Sequence, residues 1–146
     1  MSLICPDETI LKSSAAKVTA IYPGIDPGRL KRAIELVKSG SLRKLRAEDE
    51  WRITSSAASS DKSYLVNDEL LTCECRDWWN FNSPQSPRYI AGTQHLCKHL
   101  ISTLILNHAQ AEVNRRAKAP EQTVPQIMQV LFGQSLKKSV IGAVSK

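Results

Sequence analysis

Two short stretches decide the fold of this chain: LTCECRDW at residues 71–78 and GTQHLCKHL at residues 92–100. Together they supply three thiols, from Cys73, Cys75 and Cys97, and two imidazoles, of which that of His99 forms a Cys-x-His pair with Cys97. Zinc in proteins takes four such ligands in a tetrahedron, and clustered thiols in an intracellular chain bind metal more often than they form disulfides. The spacing, Cys-x-Cys, twenty-one residues and Cys-x-His, therefore predicts one structural Zn²⁺ held by these four side chains.

The two ligand pairs require different local structures. Residues two apart on a strand point to the same side, which suits Cys73 and Cys75. Residues two apart on an α-helix differ by about 200°, so Cys97 and His99 cannot share one face of a regular helix. We therefore expect Cys97 on the approach to a helix or at its first residue, and His99 in the first turn. The helix N-terminus there stabilises a thiolate.

Alternatives to this ligand set exist in the same segment. His95 is a competing ligand, which we rank below His99 because Cys-x-His places both ligands beside the helix start. The whole cluster could also be a group of buried cysteines with a chance histidine nearby. Four protein ligands leave no position for water, which is typical of structural rather than catalytic zinc.

Upstream of the cysteines the pattern predicts one helix and then short strands. Asp26 suits an N-cap, Pro27 the first helical position and Gly40 the end of the helix. Apolar residues recur every three or four positions between them. Two β-hairpins are predicted from the strand-like segments that follow, at residues 42–46, 51–55, 64–67 and 70–73.

The predicted fold class is α+β: a small zinc-stabilised ββα module, preceded by a helix and a β-hairpin and followed by a long helix. The long helix is predicted over residues 96–118, after Gly92-Thr93 and before Pro120. Three parts are expected. An N-terminal arm at residues 1–25 should contain at most a short strand, near residues 18–22. A zinc-binding domain should follow at 26–118, with its core motif at 64–106, and then a basic C-terminal tail at 119–146 with a marginal helix.

The cysteine–histidine pattern resembles the SWIM zinc finger, a ββα module with Cys-x-Cys, a variable loop and Cys-x-His. Segments such as RAIEL at 32–36 and WRI at 51–53 resemble the surroundings of this module in small bacterial or mobile-element proteins, over about residues 28–106. The loop of twenty-one residues is longer than in compact members, and residues 107–146 match nothing in the pattern. The resemblance implies a zinc ligand set and a role in DNA or protein contacts.

Composition and charge limit the classes of function. The chain has 146 residues, 42% hydrophobic and 23% charged, which is typical of a soluble globular protein. It has no apolar run of the roughly 18–20 residues that span a bilayer, and its N-terminus does not look like a secretory signal. We therefore expect a cytoplasmic protein with no membrane partner. The formal charge of +6, with the excess greatest near the C-terminus, is compatible with nucleic acid.

The leading hypothesis is a non-catalytic module that binds nucleic acid, DNA more readily than RNA, as an accessory subunit of a larger nucleic-acid-processing complex. The basic and aromatic candidates for this contact are Arg29, Arg32, Arg43, Lys44, Arg76, Trp79, Arg88, Arg115, Arg116 and Lys118. The alternative is a protein-interaction adaptor that docks through its apolar long helix and the aromatic loop after Cys75. An enzyme with a small-molecule substrate is not expected, because the sequence has neither a glycine-rich phosphate loop nor a nucleophile elbow.

The sequence allows two interpretations of the tryptophans in the aromatic loop. Trp78 and Trp79 lie close to Phe81, Tyr89 and Arg88 in sequence. Aromatic side chains interleaved with arginine can stack on unpaired bases or anchor a protein partner. A small metal domain also needs apolar lids, so we expect one tryptophan to cover the core and the other, Trp79, to form a functional surface.

Overall fold

The computed structural model describes residues 6–46, 49–54 and 62–119 of the chain. Within those residues the protein has four helices and one four-stranded antiparallel sheet, which confirms the predicted α+β fold class. The elements in chain order are α1 (Glu8–Ile21), α2 (Pro27–Ser39), β1 (Leu42–Lys44), β2 (Glu50–Thr54), β3 (Ser63–Asn67), β4 (Thr72–Cys73), α3 (Arg76–Asn82) and α4 (Lys98–Lys118).

The strands of the sheet follow chain order, β1-β2-β3-β4, and the last strand, β4, contains Cys73. Trp51 of β2 lies opposite Val66 of β3, and Val66 lies opposite Cys73 of β4. Alternate residues of β2 are buried, so Trp51 and Ile53 face the core while Arg52 and Thr54 are exposed. The first cysteine therefore belongs to the buried face of the sheet.

Strand β4 is shorter than the predicted segment 70–73. Leu71 has a φ of 55°, in the left-handed region where a residue with a side chain is strained. A strand cannot continue through that conformation, so the extended segment starts only at Thr72. The Leu71 carbonyl accepts hydrogen bonds from the Trp78 indole N–H at 2.9 Å and from the side-chain amide of Gln94 at 3.3 Å. These two bonds hold the turn in place.

Helix α2 matches its prediction because its boundary signals are local. The Asp26 carboxylate accepts a hydrogen bond from the Arg29 amide at 3.0 Å, and Pro27 occupies the first turn. Gly40 ends the helix with a φ of 71°, a conformation that costs glycine little.

The prediction of at most a short strand near residues 18–22 is wrong. Residues 8–21 form α1, which is capped by the Asp7 carboxylate accepting from the Ile10 amide at 2.8 Å. Leu11, Ala15 and Val18 lie on one face and belong to the same apolar cluster as the sheet and α4. The segment assigned to an N-terminal arm thus supplies part of the core.

The segment between the two ligand pairs also contains a helix where a loop was expected. Residues 76–82 form α3, and the Cys75 sulfur accepts a hydrogen bond from the Trp78 amide at 3.3 Å, as an N-cap side chain does. The long helix starts at Lys98, two residues later than predicted, because the Cys97 carbonyl accepts the first helical hydrogen bond, from Ile101 at 3.0 Å.

The chain divides into two compact units after Val113. The described part of the second unit is the end of α4, where Arg115, Arg116 and Lys118 lie in the last turn. The marginal helix predicted within 119–146 lies outside the described residues. Of the helices that the structure describes, none combines the length and apolarity that crossing a membrane requires.

Candidate metal centre

Four side chains converge where the sheet, α3 and α4 meet. Cys73 ends β4, Cys75 caps α3, Cys97 immediately precedes α4 and His99 lies in the first turn of α4. All four are buried, with exposed fractions of 5% or less. The expected position of Cys97 before the helix and of His99 within its first turn is confirmed.

The donor atoms are close enough to share one ion. The three sulfurs and one imidazole nitrogen all lie within 4.8 Å of one another. The Cys73 Sγ lies 3.7 Å from the His99 Nδ1. In a tetrahedron with metal–ligand bonds of about 2.0–2.3 Å the donors are separated by roughly 3.5–3.8 Å. The cluster can therefore hold one metal ion with a small contraction of its longest separations.

Backbone and ring contacts orient these donors. The Cys75 amide donates a hydrogen bond to the Cys73 sulfur at 3.4 Å, and the Trp78 amide donates to the Cys75 sulfur. Such N–H groups stabilise thiolate charge. The Tyr64 ring packs against the His99 imidazole with 4.8 Å between centroids, which fixes the plane of the ligand ring.

The three thiols share their protons unequally when no cation lies among them. The pKa of Cys75 is lowered because the thiols of Cys73 and Cys97 donate hydrogen bonds to it. The pKa of Cys73 is raised to about 12, chiefly by its hydrogen bond to Cys75. The pKa of Cys97 is also raised, by its hydrogen bonds to Cys73 and Cys75 and by burial. Cys75 is thus the first thiolate, and a bound cation would have to displace the other two protons.

His95 lies outside the cluster and has a different task. Its Nε2 is 3.4 Å from the Asp77 carboxylate, and its ring stacks on Phe81 with 4.3 Å between centroids. Its backbone N–H donates to the Asn82 side chain, whose amide donates back to the His95 carbonyl. These contacts tie the end of α3 to the segment that leads into Cys97. His95 therefore positions a ligand and does not join the ligand group.

A cleft of about 320 Å³ opens beside the metal cluster. Its walls include the ligands Cys75, Cys97 and His99, together with Tyr64 and Asp77. Four cationic side chains also line it: Arg29, Arg32, Arg76 and Lys98. Three of these were candidates from the sequence. Lys98 was missed, although its position between the two ligands Cys97 and His99 places it beside the metal cluster.

The structure separates the basic candidates into groups with different surroundings. Arg29 is committed to an internal ion pair: its Nε and one terminal nitrogen each lie 3.2 Å from an Asp77 oxygen, and its guanidinium lies 5.7 Å from the Phe81 ring centre. Asp77 thus occupies part of the Arg29 guanidinium, which leaves it less available to a phosphate than an arginine without an ion pair. Lys44 is exposed but lies 5.3 Å from the centre of the Trp51 ring.

The other candidates of the first unit do not line the cleft. Arg43 is exposed on β1, and Arg88 is exposed in the segment after α3. Arg115, Arg116 and Lys118 belong to the second unit. Trp79 is 45% exposed, whereas Trp78 packs on the core and donates its indole N–H to Leu71. The expected division of tasks between the two tryptophans agrees with this difference in burial.

Comparisons of the chain with family models, with curated proteins and with solved structures find no match.

Proposed function

We propose that this chain is a zinc-stabilised, non-catalytic module that binds nucleic acid, DNA in preference to RNA, as an accessory subunit of a larger nucleic-acid-processing complex. The observation that carries the proposal is the cationic cleft beside the metal cluster, lined by Arg32, Arg76 and Lys98. Within the described residues, none of these three side chains has a carboxylate partner.

Zinc is the metal that best fits the donor set. Three sulfurs and one imidazole in a buried group are typical of structural zinc sites. When bound, Zn²⁺ would supply a redox-inert cross-link between β4, α3 and α4. The four protein donors fill a tetrahedral shell, so the metal has no position for a substrate, and its contribution is to folding.

The resemblance to the SWIM zinc finger belongs to the same proposal. The order of a β-hairpin that carries Cys-x-Cys, an intervening segment, and a helix that starts within Cys-x-His agrees with that module's ββα pattern. Helix α3 occupies seven of the twenty-one residues of that intervening segment. SWIM modules are associated with DNA and protein contacts, which supports an interaction role.

The excess of positive charge in the cleft favours the binding of a polyanion. With three thiolates, a neutral imidazole and Zn²⁺, the metal centre would carry one negative charge. Asp77 adds a second, but it is already paired with Arg29. The three other cations thus outnumber the single charge of the centre. A surplus of unpaired cations in a concave surface attracts phosphates.

Salt dependence of binding tests the proposal. Fluorescence anisotropy of the zinc-loaded full chain, titrated against labelled DNA between about 50 and 200 mM salt, should give a linear fall of log affinity with log salt. The slope should be about −0.9 per phosphate contact on duplex DNA, or about −0.7 on a single strand. No binding at the lower salt concentration, or an affinity independent of salt, would overturn the proposal.

The second candidate is a protein-interaction adaptor, which a different observation favours. Trp79, Tyr89 and Ile90 are large apolar side chains that are 45%, 37% and 60% exposed. Exposed aromatic residues are enriched in protein interfaces. Capture of one protein partner that nuclease treatment does not release, with no salt-dependent DNA binding by the isolated chain, would favour the adaptor.

A further inference from the structure

We infer that the ligand is single-stranded DNA, with one backbone phosphate in the cleft beside the metal cluster and an adjacent unpaired base stacked on Trp79. This inference rests on the proposed function and specifies its substrate class. It arises from the juxtaposition of two features that the structure brings together on α3: a cationic wall at Arg76 and an exposed indole at Trp79.

The cleft is built for one phosphate group and its neighbours. Arg32 comes from α2, Arg76 from α3 and Lys98 from α4, so three separate elements direct cations to one concavity. Its volume of about 320 Å³ is at the lower end of the range for small-ligand pockets, which suits a nucleotide unit better than a duplex groove contact. Arg29 does not compete for the phosphate, because the Asp77 carboxylate already binds it.

The indole of Trp79 lies one helical turn from Arg76, which lines the cleft. Arg76 and Trp79 are three residues apart on α3, and residues at that spacing are neighbours on a helix surface. Trp78, which faces the core, cannot take this part, since its indole N–H is bound to the Leu71 carbonyl. The phosphate site and the stacking surface therefore belong to the same short helix, which is anchored at its start by the ligand Cys75.

Stacking on an indole selects for unpaired bases. In a duplex both faces of each internal base are covered by its neighbours, so an exposed ring can stack only after a base is released. A single strand offers free base faces beside a flexible, charged backbone. The combination of a small cationic cleft and an exposed tryptophan thus favours a single strand over a duplex of the same sequence.

The test uses the zinc-loaded full chain and a labelled oligothymidylate strand, with a mixed-sequence duplex as comparison. The wild type should bind the strand about tenfold more tightly than the duplex, and the strand should quench tryptophan fluorescence. Trp79→Ala should lose about tenfold or more in affinity for the strand and lose most of the quench, with zinc content unchanged. Trp79→Leu keeps the apolar bulk without the aromatic face, and it should show the same loss.

Charge variants test the cleft separately. Arg76→Gln and Lys98→Gln should each weaken binding and reduce the magnitude of the salt slope by about 0.7. Lys17→Gln, which removes an exposed charge on α1 outside the cleft, is the matched control and should change neither quantity comparably.

The outcomes separate this inference from the proposed function. Tighter binding to duplex than to single strand, wild-type affinity in Trp79→Leu, or equal effects of Lys98→Gln and Lys17→Gln would overturn the inference while leaving nucleic-acid binding in place. Absence of salt-dependent binding to either nucleic acid would overturn both.

Discussion

At the residue scale, each metal ligand is placed by a different backbone feature: a strand end, an N-cap, the residue before a helix and the first helical turn. The Cys-x-Cys and Cys-x-His spacing could predict these positions, because strand and helix geometry leave few ways to bring two such pairs together. The spacing could not predict that Asp77 binds Arg29 and faces His95, since those contacts join residues 48 and 18 positions apart.

The two histidines near α4 provide a matched test of the ligand set. His99→Gln should lose stoichiometric metal, because it removes one of the four donors. His95→Gln should keep one metal per chain, because its ring contacts Asp77 and Phe81 and lies outside the cluster. Elemental analysis of the two purified variants measures this directly. Metal retained by His99→Gln and lost by His95→Gln would reverse the assignment.

Metal affinity should rise with pH. The pKa of Cys73, raised to about 12, and the raised pKa of Cys97 mean that both thiols are protonated at neutral pH before metal binds. Binding to a folded metal-free cluster then releases about two protons, and binding to an unfolded one releases about three, so affinity should increase by at least roughly a hundredfold per pH unit and fall as the pH is lowered. Competition with a chelating indicator at about pH 6.5 and pH 7.5 measures the slope, after correction for the indicator's own titration. An affinity unchanged over that interval would contradict the proton assignment.

At the scale of elements, prediction from sequence succeeded where local signals agreed. Helix α2 carries an acidic N-cap, a first-turn proline and a glycine stop, so no distant contact was needed to define it. Helix α1 has the same kind of cap in Asp7, but the alanines and serines among its apolar residues obscured the helical stripe. Helix α3 has only seven residues, and its cap is a cysteine. Because it depends on the metal cluster and on Leu71, local propensity could not reveal it.

The importance of α1 can be tested within the helix itself. Val18 is fully buried, so Val18→Ala should lower the free energy of unfolding by about 2 kcal/mol through lost burial and a small cavity. Ile21 is 56% exposed, so Ile21→Ala should change the free energy of unfolding by no more than about 0.5 kcal/mol. Denaturant unfolding of the metal-loaded variants compares the two. Equal small effects would mean that α1 does not pack as described.

At the scale of the whole chain, the apolar core and the metal cluster share residues. Cys73, Cys75 and Cys97 belong to the same buried cluster as Leu11, and Trp51 lies in it as well. Metal affinity and folding free energy should therefore be coupled, as in other small metal-binding domains. This coupling follows from three-dimensional packing of distant segments, which the sequence pattern could suggest only for the segment around the ligands.

Removal of the metal tests this coupling. Chelation should abolish hydrogen-exchange protection across residues 64–106, because the thiols and the imidazole would lose the cation that holds their elements together. Hydrogen exchange followed by mass spectrometry, before and after chelator, gives the readout by segment. Protection that persists in this segment without metal would show that packing alone maintains it.

We propose that a single zinc ion, bound by Cys73, Cys75, Cys97 and His99, organises the fold. Native mass spectrometry of the full chain, purified without chelator or denaturant, tests this. One dominant species is expected, with one Zn²⁺ per chain. A dominant metal-free chain that is nevertheless folded, or one that carries a different metal in stoichiometric amount, would contradict it.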